Sequence, residues 1–258
     1  MSVDASAAIE AYDAELVARL RSLLGDDLAA VYTTGSTALG DYVHRRSDLD
    51  RLVVCERPLA VEAREALVAA LRHEELPCPA RGLELVVYAR AAVERATRGG
   101  AFEVNLNTGP RMPLHVSFDP AEEPEHWFVL DRAIARSRGG ALYGPPPTEL
   151  LAAIPRSWSL DSLAASLAWH RANADVAGEN LVLNACRAWV FAAEDRWVAK
   201  REAAAWALER EPGATVVAEA LAVRAGRSTA PLDGRAAAAF VARVARVVDS
   251  ARGRTVPP

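Results

Sequence analysis

Apolar positions follow a helical period at the start of this chain, then fall into short strand-like runs, and return to a helical period towards its end. Ala8 to Leu24 places apolar residues three and four apart, which predicts an amphipathic helix. The runs Leu28-Ala29-Ala30-Val31-Tyr32 and Leu52-Val53-Val54-Cys55 are short and bounded by turn residues, and predict two strands around a loop and short helix. Val61 to His73 reads as a second helix. After the break at Pro77-Cys78-Pro79, Leu83-Glu84-Leu85-Val86-Val87-Tyr88 reads as a third strand. Gly139-Gly140 and Gly144-Pro145-Pro146-Pro147 mark a change, and from Asp161 onward strand patterns disappear. Helices broken near Gly178, Pro212-Gly213 and Pro231 to Gly234 take over. In the last of them Phe240, Val241, Val244, Val247 and Val248 form one apolar stripe. The pattern predicts an α/β (α+β) domain with a mixed sheet over residues 1–150 and an all-α helical bundle over residues 151–258.

The first two strands enclose the residues with the clearest chemistry. Small residues around Gly35 let backbone amides approach an anion, and the hydroxyls of Ser36 and Ser47 stand beside them. Asp48 and Asp50, two apart on an extended segment, point to one face. Side-by-side carboxylates repel unless a cation lies between them, and Mg²⁺ commonly bridges carboxylates to substrate phosphates. An isolated Asp-x-Asp is more often a solvated strand end, and a lone Gly-Ser is a common loop. Their order between two strands favours metal-assisted transfer from a nucleoside triphosphate. Glu84 places a charge in a strand, which is costly unless it is paired or binds a metal.

Composition narrows the classes. With 258 residues, half of them apolar, the chain can build two cores, and its net charge of −4 disfavours a nucleic-acid partner while suiting a small cationic one. No run approaches the roughly 20 apolar residues of a spanning helix, and the first residues lack a basic-then-apolar leader, so no membrane partner and a cytoplasmic location are expected. Cys55, Cys78 and Cys186 have no metal-ligand spacing and are expected to be reduced structural thiols.

Gly-Ser, a spacer, Asp-x-Asp and a later strand carboxylate together resemble the nucleotidyltransferase superfamily. Further segments resemble the streptomycin and spectinomycin adenylyltransferases, which carry a helical C-terminal domain. They are His126 to Ala133, Gly144-Pro145-Pro146, Asn180 to Trp189 and Lys200 to Ala207. The resemblance implies transfer of AMP from ATP to a hydroxyl of a small-molecule acceptor, by a protein expected to be monomeric. It implies Mg²⁺ held by Asp48, Asp50 and Glu84, with Glu84 also the catalytic base. It assigns Gly35, Ser36, Ser47, Asp131, Arg187 and Lys200 to the nucleotide. Lys200 is the only lysine of the chain, and Arg187 has a salt bridge within the helical bundle as its plainer reading.

The chain departs from that family ahead of Asn180. Members accepting both drugs carry a Trp there; this chain reads Asp175-Val176-Ala177-Gly178-Glu179-Asn180, about two residues shorter, with Glu179 left to anchor an ammonium. Arg224 stands where a family Tyr contacts the nucleotide. Spectinomycin is therefore favoured over streptomycin as acceptor. The alternatives are the same chemistry on another metabolite, a protein or a tRNA end, and a catalytically silent nucleotide-binding regulatory module.

Overall fold

The computed structural model describes residues 3–174 and 178–254, and the chain divides into two compact units, Met1–Ile154 and Pro155–Pro258. The first is built on a six-stranded sheet in the order β5-β4-β3-β2-β1-β6. Its strands are β1 (Leu28–Thr33), β2 (Leu49–Cys55), β3 (Leu83–Ala89), β4 (Val104–Gly109), β5 (Met112–Ser117) and β6 (Ala141–Tyr143). Only β2 and β3 run parallel, because helix α3 (Val61–Leu71) carries the chain back between them; every other pairing is antiparallel.

Strict alternation along β2 and β3 gives the sheet two different faces. Leu49, Val53, Cys55, Leu83, Leu85 and Val87 bury against α1 (Val3–Leu24) and α3. Leu52, Val54 and Tyr88 bury on the opposite face, in the core that includes Phe128 and Ala135 of α5 (Glu125–Arg138). One charge lies inside the first face. Arg51, 1 % exposed, makes two 2.8 Å hydrogen bonds to the Asp13 carboxylate of α1, and its Nη1 donates to the Asp50 carbonyl at 2.9 Å. A guanidinium that deep is tolerated because the carboxylate matches its fork and its third nitrogen also finds an acceptor. The pair ties α1 to the strand carrying Asp50.

Helix α1 begins at Val3, earlier than the pattern placed it, and β1 runs on to Thr33. Between β1 and β2 the short helix α2 (Gly35–Ala38) forms as expected. Two short helical turns, α4 (Arg90–Val93) and α6 (Pro147–Leu150), complete this unit.

The second unit is helical throughout its described residues: α7 (Arg156–Ala172), α8 (Glu179–Glu194), α9 (Lys200–Arg210), α10 (Thr215–Arg224) and α11 (Gly234–Gly253). Helix α8 is apolar on nearly every side, from Leu181 to Ala192, and packs against the other four. That is the position in a bundle such a sequence must take. In α11, Phe240, Val241, Val244 and Val248 are buried as the stripe requires, whereas Val247 lies at its margin. Asp233 caps that helix, its carboxylate accepting from the amides of Arg235 and Ala236. The departure from the family at Asp175, Val176 and Ala177 lies outside the described residues. The three cysteines are free and buried. No described helix is long and apolar enough to cross a membrane.

Candidate active site

The turn after β1 is shaped by one glycine. Gly35 has φ +55°, and a Cβ on it would stand 2.0 Å from Asp50 Oδ2. Only a residue without a side chain lets the turn close on that carboxylate. The contact is drawn tight by the Thr34 amide on the Asp50 carbonyl at 3.1 Å and the Ser36 amide on Asp50 Oδ2 at 3.3 Å. Thr34 Oγ1 donates to the Asp131 carbonyl at 3.0 Å, which brings α5 to the same turn. The hydroxyls of Ser36 and Thr37 are buried without a hydrogen-bond partner among the described residues. Ser47 behaves differently: it is 5 % exposed, and its Oγ accepts from the Val43 amide at 3.0 Å, so it holds the loop ahead of β2 in shape.

Asp50 and Glu84 are direct partners in the parallel β2–β3 register, so their side chains share one face, while Asp48 immediately precedes β2. Burial and then the charges of Asp50, Asp48 and Asp131 push the Glu84 carboxyl well above the usual carboxylate range, and Arg81 pulls it back only in part. Arg81 Nη1 sits 2.7 Å from Asp48 Oδ2. No three His, Cys, Asp or Glu side chains among the described residues form a ready-made metal cage. Arg81 occupies one oxygen of Asp48, while Asp50 and Glu84 stand side by side in the register and Glu84 carries the cost of that proximity. Repelling carboxylates, a guanidinium in a cation's place and unpartnered hydroxyls opposite are a donor set that Mg²⁺ and a phosphate would fit.

Sequence reasoning passed over Arg81, although a cation three residues ahead of a strand carboxylate is a visible signal. It also missed the residues that extend the Glu84 row across the sheet. Asn107 of β4 pairs Glu84, and His115 of β5 pairs Asn107. Side chains directly opposite in antiparallel strands share a face. His115 Nε2 lies 2.5 Å from Glu123 Oε1.

The remaining predicted residues belong to the helical unit. Arg187, half-buried, stands two turns along α8 from Asn180, whose Oδ1 accepts from Lys200 Nζ at 2.6 Å. Glu179 lies in the first turn of α8. Next to Lys200 is His170 of α7, with Nδ1 2.8 Å from the Ser166 carbonyl and Nε2 2.9 Å from Asn184 Nδ2. Those partners require an Nδ1–H donor and an Nε2 acceptor, which is the neutral ring. Burial pushes its pKa below the ordinary 6.5, the Ser166 carbonyl opposes that, and Lys200 adds to it. Arg224 is buried at the end of α10.

Residues 149–249 match the family described as the aminoglycoside adenylyltransferase C-terminal domain. Among solved structures, the chain is similar to the spectinomycin adenyltransferase AAD(9) from Enterococcus faecialis, solved with ATP and spectinomycin. The likeness has a TM-score of 0.67 at 17 % identity, over 92 % of this chain and 98 % of that one. It is a likeness of fold. A toxin–antitoxin structure with AMP-PNP also matches, with a TM-score of 0.29 and 14 % identity over 63 % of this chain and 93 % of that one, too weak to carry an argument. No curated protein sequence matches.

Proposed function

From the premise that this chain joins a nucleotidyltransferase fold to a helical unit of the aminoglycoside adenylyltransferase family, we propose that it transfers AMP from ATP to a hydroxyl of a small cationic antibiotic of the spectinomycin kind, releasing pyrophosphate. The observation that carries the proposal is the half-buried Glu84 carboxylate, register-paired with Asp50 and lifted in pKa by loss of solvent and then by Asp50, Asp48 and Asp131. A carboxylate above its usual range accepts a hydroxyl proton more readily than a solvated one, and perturbed carboxyls of this kind cluster at functional sites.

In this reading the acceptor oxygen attacks the α-phosphorus of ATP in line with the bond to the leaving pyrophosphate, and its proton passes to a Glu84 carboxylate oxygen. Ser36 and Thr37 direct their unpartnered hydroxyls to the phosphates. Asp131, Arg187 and Lys200 serve nucleotide binding, and Glu179 meets a cationic group of the acceptor. Asp48, Asp50 and Glu84 would hold Mg²⁺, which supplies charge neutralisation on the transferring phosphoryl group and lowers the pKa of the attacking hydroxyl. Arg81 would then be released from Asp48.

Incubation with ATP, Mg²⁺ and either spectinomycin or streptomycin tests the proposal, with pyrophosphate release and the mass of the product as readouts. The expected result is an AMP adduct of spectinomycin that requires Mg²⁺ and disappears in D50N. Pyrophosphate release without an adduct, or no reaction with any hydroxylated amine, overturns it.

A further inference from the structure

The row of side chains that runs across the sheet from Asp50 and Glu84 does not end at the carboxylates. Glu84 pairs Asn107, and Asn107 pairs His115, so the carboxylate, the carboxamide and the imidazole stand on adjacent strands of one face. With strands roughly 5 Å apart, Asn107 lies about one strand spacing from Glu84 and His115 about two. Asn107 is half-buried, and its carboxamide makes no hydrogen bond among the described residues. Its neighbours on β4, Val104 and Leu106, are buried in the opposite core, so the carboxamide serves no packing purpose that an apolar residue would not serve better.

His115 is held rather than free. Its Nε2 lies 2.5 Å from Glu123 Oε1; the Glu123 side chain is 7 % exposed and that of His115 is 50 % exposed. A carboxylate on one ring nitrogen holds the ring plane and, in the neutral ring, places the hydrogen on Nε2 and a lone pair on Nδ1. An edge strand has no structural need for such a fixed acceptor. Its neighbour Leu114, on the other face, is exposed, as edge residues ordinarily are.

We propose that Asn107 and the Glu123-oriented His115 form the acceptor-reading part of the site. Asn107 hydrogen-bonds a polar substituent about one ring width from the reacting hydroxyl, and His115 Nδ1 accepts from a protonated amine or a second hydroxyl about two strand spacings away. This rests on the reading of Glu84 as the base that receives the acceptor's proton. It deepens that reading by naming the class of acceptor: a polyhydroxylated ring with a donor group set roughly 10 Å from the hydroxyl that is modified. His115 and Asn107 determine specificity; neither moves a proton in the reaction.

The test uses full-length protein and spectinomycin as the probe. In N107A and H115F the KM for spectinomycin is expected to rise about tenfold each, the worth of one good hydrogen bond, while the KM for ATP stays within about twofold. E123Q, which keeps the side-chain volume but loosens the tautomer, should give a smaller rise. The ¹⁵N resonances of the His115 ring, followed as spectinomycin is added in the presence of Mg²⁺ and a non-hydrolysable ATP analogue, give a readout independent of turnover. Adenylylation with unchanged spectinomycin KM in both variants overturns the inference and leaves the function standing. A His115 shift without adenylylation supports the subsite and overturns the function, and the absence of both removes both.

Discussion

Gly35 and Glu84 are constrained by the same carboxylate, and their substitution has opposite consequences for stability. In G35A the new methyl group would meet Asp50 Oδ2 at 2.0 Å, at a φ of +55° that costs an L residue about 1–2 kcal/mol on its own. The turn must therefore move off the strand. G35A is expected to lower both the melting temperature and the rate of transfer, the latter by about 10² or more because Asp50 shifts with it. In E84Q the fold loses a repelling charge. Because the Glu84 pKa is raised in the folded state, the native protein binds more protons than the unfolded chain once pH passes 4.5. Its stability accordingly falls as pH rises from there towards the raised folded value. Without divalent cations E84Q should flatten that slope and melt higher at neutral pH, by about 2–4 °C if the relief is on the order of 1 kcal/mol. Transfer should be lost in the same variant. Thermal melts across pH with chelator present measure the first effect, and a lower melting temperature for E84Q would show that Glu84 is stabilised by contacts rather than strained by charge.

At the scale of elements, what could be read in advance was what periodicity and burial encode. Strands β2 and β3 are buried on both faces and read as continuous apolar runs, and α8 and α11 carry their stripes plainly. Strand β4 alternates Val104 and Leu106 with Asn105 and Asn107, and β5 exposes Leu114 beside Pro113; both are edge-side strands whose polar positions resemble a loop, so they escaped notice. With them went the part of the row formed by Asn107 and His115. The Asp-x-Asp and Glu84 were legible because a strand charge is anomalous in one dimension. Arg81 and Asp131 act on Glu84 only through the folded arrangement. The contact between α7 and α8 through His170 was equally invisible, since it joins residues fourteen apart through ring nitrogens. It has a measurable consequence. The folded pKa lies below the unfolded 6.5, so the helical unit keeps its full stability above that pH and loses it as pH falls towards the folded value. H170Q should remove this slope between neutrality and mild acid. An unchanged slope in circular-dichroism melts would assign it to other groups.

For the whole molecule, the proposed function makes the composition of the stretch before Asn180 bear on the choice of acceptor. An aromatic face is worth on the order of 1–2 kcal/mol to a desolvated guanidinium, and the Trp that would supply it is missing ahead of Asn180. Expression in a susceptible host should therefore raise the inhibitory concentration of spectinomycin more than that of streptomycin; the reverse order would mean that other residues replace the lost contacts. The three thiols give the molecule a further use, as its own timer. Burial lifts Cys55 and Cys186 to about 12 and Cys78 to about 11, so a folded chain presents almost no thiolate to an alkylating reagent. Reaction must wait for the chain to open around each sulfur, and the rate at which label accumulates counts those openings. Cys55 and Cys78 lie in the first unit and Cys186 in the second. Peptide mass spectrometry of a single labelling time course thus yields two independent records, in one tube and with no engineered residue. Addition of ATP would show in hours of delay which record it lengthens.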